Sequence, residues 1–341
     1  AYALYEEEDT QVQEALLDFF NVQPNIVAIE PALELLSSSA STRNASARTL
    51  IKLFSSPEVT IPHETNKRVL KIVKNKRKRD KKNKNLITLE AMLGTLKDKE
   101  KLVDFLDREN FRFAVAKGFA LSGYAQPLFN MITSESSPYQ SDLFPYTLDA
   151  LQKQGGIDSF VKLMDLRDLK MPADQEKKWK EVVNKLATSL STRDLLDADE
   201  ILMQNKLNDL RKTVLIRVWD SPNNQVRKDI ANTLIPLLLS YDEAAKAFGL
   251  FEDFGDSLLD EELLTLKFSA AIKANFWDAA ATIKTEPEAW IIEWIRMKDD
   301  KPESAEVLKT EITQRFDALL TLEQRQQLGI ETQTIPTEET H

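Results

Sequence analysis

The densest chemistry in the chain is cationic. Between residues 67 and 85 lie 11 basic side chains and 1 acidic one, with Lys76-Arg77-Lys78-Arg79 at the centre. Such a run can neutralise phosphates and release their counterions, address a protein to the nucleus, or hold an acidic neighbour. It can also be a solvated helix extension. No aromatic residue lies between Asn66 and Asn85, so base stacking is not supplied from within the segment. Lys74, Lys76, Arg77, Lys78, Arg79, Lys81 and Lys82 are the candidate contact residues here.

Catalytic and metal chemistry has far less material. The chain has no cysteine and 2 histidines, His63 and His341. Disulfides, thiolate sites and a cysteine nucleophile are thereby excluded. A Ser-His-Asp triad would need His63, which follows Pro62 without a nucleophile elbow and reads as a surface or capping residue. No phosphate-binding glycine loop or zinc-protease motif occurs. The expectation is a non-enzyme with no catalytic residue, no metal and no cofactor. The acids Glu252, Asp253, Asp256, Asp260, Glu261 and Glu262 lack calcium-loop spacing and read as helix-start acids opposing the macrodipole. Asp197-Ala198-Asp199-Glu200 is read likewise, with Asp197 and Glu200 at capping-box spacing. Trp290 and Trp294, with Met297, occupy one helical face; core is the plainer reading and a peptide groove the sharper one.

The elements that would carry these residues are helices. Trp179, Val182, Val183, Leu186 and Leu190 follow helical spacing, as do Leu207, Leu210, Val214, Leu215 and Val218. Eight glycines in 341 residues leave little for hairpins or phosphate turns. Pro172, Pro222 and Pro302 sit where helices start, and Thr321 with Gln324 has capping-box spacing. Pro127, Pro145 and Pro236 fall inside apolar-periodic stretches. Gly155-Gly156 separates two helical runs. The fold class expected is all-α with essentially no β-strand.

One phrase recurs: a polar turn, an Arg, then an apolar-periodic helix. Ser221-Pro222-Asn223-Asn224-Gln225-Val226-Arg227-Lys228 leads into one such helix and Ser41-Thr42-Arg43-Asn44-Ala45-Ser46-Ala47-Arg48 into another. Both resemble the second helix of HEAT and armadillo repeats, and Gly155-Gly156-Ile157-Asp158-Ser159-Phe160-Val161-Lys162-Leu163 is similar to an armadillo repeat join. The resemblance covers residues 28–56, 110–166 and 213–254, with degenerate repeats. It implies an irregular α-solenoid, in which helix pairs cover one another's apolar faces, at about 1.5–3 kcal/mol per buried Leu or Phe. It also implies a scaffold or adaptor subunit that binds other proteins in a larger assembly. Arg43, Arg48, Arg227 and Lys228 then either face a partner or bridge adjacent repeats. A nucleic-acid or phosphate-linked binder using 67–85 is the alternative, and a compact bundle the alternative fold.

The expected organisation is a repeat array over 1–254, a helical capping region over 255–330, and a polar tail over 331–341. Charge follows no such division: residues 1–66 carry −7, 67–85 carry +10 and 86–341 carry −13, summing to −10. No run is long and apolar enough to span a bilayer. The chain begins Ala1-Tyr2-Ala3 without Met, as a processed form or excised fragment would. A soluble protein is expected, intracellular or organellar rather than secreted, with a nuclear location open.

Overall fold

The computed structural model describes residues 7–134, 140–169, 171–254 and 259–330. Among these there are twenty α-helices, three short 3-10 turns and no strand. No helix among them is long and apolar enough to cross a membrane. The chain divides into two compact units, Ala1–Ile201 and Leu202–His341. The division falls inside a helix, at 201/202. Phe248 and Phe276, on either side of the 254/255 boundary expected from the sequence, pack edge-on at 5.4 Å.

The first unit opens with α1 (Thr10–Val22), α2 (Ile29–Leu35), α3 (Ala40–Ser55) and α4 (His63–Arg79). Next come α5 (Lys84–Leu93), α6 (Leu96–Val103), α7 (Glu109–Ser122) and α8 (Gln126–Thr133). α9 (Gln140–Gln154), α10 (Gly156–Asp165), α11 (Ala173–Ser189) and α12 (Thr192–Gln204) follow, the last carrying the boundary. Their packing is sequential. α1 lies on α3, α3 on α5, α5 on α7, α7 on α9 and α9 on α11, with the intervening helices docked on these. Leu17, Leu36, Leu50, Leu53, Val69 and Leu86 are fully buried in the core that starts the file.

Buried hydroxyls tie the file together. Thr49 Oγ1 lies 3.1 Å from Leu17 O across the α3–α1 contact, and Thr88 Oγ1 lies 2.9 Å from Ala114 O across α5–α7. Each hydroxyl also reaches the carbonyl four residues before it, so its proton is shared between the two. Gly118 sets the spacing of α5 and α7. A Cβ there would sit 2.5 Å from Ala91 Cβ and 2.6 Å from Thr88 O.

Pro145 lies inside α9 and has no N–H to give the Ser141 carbonyl four residues earlier. Gln175 Nε2 of α11 donates to that carbonyl at 3.0 Å, so the next helix satisfies the group that proline frees. Pro236 is likewise interior to its helix, while Pro127 falls in the first turn of α8, where proline is tolerated.

The second unit contains α13 (Asn208–Trp219), α14 (Asn224–Ser240), α15 (Ala244–Gly249) and α16 (Glu261–Lys273). It ends with α17 (Trp277–Ile283), α18 (Pro287–Met297), α19 (Pro302–Phe316) and α20 (Leu322–Gln327). Trp290 is fully buried, with Phe268 and Phe316 edge-on at 5.7 Å and 5.4 Å. Its indole Nε1 donates to Lys284 O at 3.0 Å. Trp290, Trp294 and Met297 are therefore core rather than groove. The Thr321–Gln324 capping box is formed. Asp197 and Glu200 instead lie well inside α12, so they cap no helix start.

Candidate functional site

Three arginines reveal what the recurring phrase does. Arg43, Arg112 and Arg227 each stand four residues beyond the residue that caps their helix: Ser39, Arg108 and Asn223. Each turns its Nε back to a carbonyl left over from the preceding turn or helix. Arg43 donates to Leu36 O at 3.1 Å, Arg112 to Leu106 O at 2.8 Å and Arg227 to Trp219 O at 2.8 Å. The last carbonyls of a helix lack internal partners and carry negative partial charge, so a guanidinium is the natural complement. Arg112 escapes a reading of the sequence because Arg108 replaces the small polar residue that precedes the other two.

This geometry places the four repeat-turn candidates on internal work. Arg43 also pairs with Asp80 at 3.0 Å, and Arg48 with Asp18 at 3.1 Å. Lys228 pairs with Asp260 at 2.6 Å, whose hydrogen bond and charge raise the lysine above its usual range. Asp260 in turn caps α16, accepting from Leu263 N at 3.0 Å, with Glu261 and Glu262 in the first turn. That part of the acidic stretch opposes a helix dipole; Asp256 lies outside the described residues. Among the described residues no three acidic or histidine side chains gather to hold a metal.

The basic segment splits into two populations. Residues 63–79 form α4, and Lys76 to Arg79 make its last turn, where cations offset the negative helix end. Val69 and Val73 are the buried side of that helix. Around them Arg68 pairs with Glu30, Lys67 with Glu64 at 3.0 Å, Lys74 with Asp98 at 2.6 Å, and Arg77 with Glu90. Lys76 Nζ donates to Ser37 Oγ at 2.6 Å. Burial of Asp98 would push its carboxyl upward. The bonds from Lys74 and Thr95 outweigh that and hold it below the ordinary 3.8.

The second population is Lys71, Lys78, Arg79, Lys81, Lys82 and Lys84. All six are exposed, on α4, the turn after it and the start of α5, with no acidic partner among the described residues. Of the seven candidates from the sequence, Lys78, Arg79, Lys81 and Lys82 are thus available to a ligand. Lys74, Lys76 and Arg77 are engaged at home. His63 is the exposed first residue of α4, and His341 lies outside the described residues.

A separate concavity lies on the central helices of the first unit. It has a volume of about 590 Å³ and is walled by the end of α3, by α7 and by α9. Lys117, Tyr146, Asp149 and Lys153 line it together with Ala120 and Leu121. Nothing in the sequence marks this set, because its members are far apart in the chain and meet only when α7 packs on α9. Comparison with protein-family models, with curated proteins and with solved structures finds no match to this chain.

Proposed function

We propose that this chain is a non-catalytic scaffold or adaptor, an irregular α-solenoid of HEAT- or armadillo-like helix pairs that binds other proteins within a larger assembly. The observation that supports it is the sequential packing of α1, α3, α5, α7, α9 and α11, each on the next. Stacked pairs cover one another's apolar sides and leave a long ridge of side chains for a partner. The scarcity of histidine and cysteine favours binding over chemistry. The test is to isolate the full chain from its source after nuclease treatment and to measure what accompanies it. A protein present in fixed ratio, and bound again by the purified chain, supports the scaffold. A small metabolite turned over by the chain would contradict it.

A second reading rests on Lys71, Lys78, Arg79, Lys81, Lys82 and Lys84, which have no acidic partner among the described residues of a chain of net charge −10. Here the surface at the end of α4 binds nucleic-acid phosphates. Affinity for duplex DNA or RNA would then fall with salt at a logarithmic slope of up to about −5, for six contacts. Charge removal at Lys78, Arg79, Lys81 and Lys82 would flatten that slope. A salt-independent affinity would dismiss this reading.

A further inference from the structure

The concavity between α3, α7 and α9 is built on fixed walls. α7 is held on one side by Gly118, whose missing Cβ lets it lie against Thr88 and Ala91 of α5. Its end is held on the other side by Gly123, which has φ +71. A Cβ on Gly123 would meet the Gln154 backbone N at 3.0 Å. The end of α9 is thus pinned against the end of α7, and Gln152 and Lys153 of α9 line the opening with Lys117 and Leu121 of α7. A cleft with preset walls costs a ligand little reorganisation.

Its polar groups are unbalanced. Asp149, on the same wall, pairs with Lys178 of α11 at 2.8 Å. Lys117 and Lys153 are exposed and have no ion pair among the described residues, so the cleft carries positive charge in an acidic chain. Tyr146 has no hydrogen bond among the described residues, and its ring lies 6.3 Å from that of Phe113. Phe113 is 45% exposed, one helical turn before Lys117 on α7. Ala120 and Leu121 supply the apolar part of the lining.

We propose that this cleft binds an extended segment of a partner protein in which an aliphatic side chain is flanked by carboxylates. The aliphatic group would rest on Ala120 and Leu121 beside the Tyr146 ring, and the carboxylates would meet Lys117 and Lys153. This deepens the scaffold reading by giving the partner a chemistry, and it rests on that reading. It leaves the surface at the end of α4 uninvolved.

The test is selection of a random dodecapeptide phage library on the immobilised full chain, followed by binding of the strongest peptide in solution. The expected sequences carry Asp or Glu on both sides of Leu, Ile, Val or Met. Binding should weaken about tenfold in the Lys117→Glu/Lys153→Glu variant and hold in the Lys78→Glu/Lys82→Glu variant. Each variant is first checked for an unchanged helical spectrum. Absence of such sequences, undiminished binding in Lys117→Glu/Lys153→Glu, or equal loss in both variants would overturn the assignment. If a native protein partner still travels with the Lys117→Glu/Lys153→Glu chain, the cleft assignment falls while the scaffold stands.

Discussion

Arg112 is the most deeply buried of the three arginines that reach back to a carbonyl, at 6% exposure. Replacing it with Ala leaves the Leu106 carbonyl without its donor and opens space around α7. The expected loss, read by urea denaturation, is about 1.5–3 kcal/mol. Arg112→Lys should recover only part of this, since a lysine has no side-chain nitrogen at the Nε position. Asp98 sets a pH dependence. Its carboxyl titrates below 3.8 when folded, so the stability it supplies is complete above 3.8. That stability is lost as pH falls through the lower folded value. In Asp98→Asn this part of the acid transition should disappear, and Lys74→Ala should weaken it. Lys78→Ala and Lys82→Ala, at exposed positions with no acidic partner among the described residues, should change stability by less than about 0.5 kcal/mol.

At the scale of elements, glycine positions separate tight contacts from open ones. Gly118→Leu would force α5 and α7 apart and should lower the stability of the first unit by about 3 kcal/mol or more. Gly249→Ala meets no atom within 4 Å and needs no unusual backbone, so it should be neutral or stabilising by up to about 1 kcal/mol. Thermal melting of the two variants checks both. Helix type was legible in the sequence because the apolar spacing of Trp179 to Leu190 and the turn signals of Pro172, Pro302 and Thr321 are local properties. The Gly155-Gly156 junction was legible for the same reason, both residues having positive φ. The arginine phrase was visible at Arg43 and Arg227, but its acceptors were not, since a backbone carbonyl leaves no mark on composition. The division at 201/202 and the cleft of Lys117, Tyr146 and Lys153 depend on which helices meet, and pattern along one helix does not carry that.

On the scale of the whole molecule, a partner-binding scaffold and a single-core globule differ in how stability is distributed. In a file of helices each interface supports its neighbours and little beyond them, so damage at one end stays local. A shared core spreads the same damage everywhere. The most direct measurement is amide hydrogen exchange on the full chain with and without Leu17→Ala, a substitution of a fully buried residue at the α1–α3 contact. The cavity should cost about 2–5 kcal/mol. Sequential packing predicts faster exchange in α1, α2 and α3 with protection in α9, α10 and α11 unchanged. An equal loss of protection from α1 through α11 would contradict it.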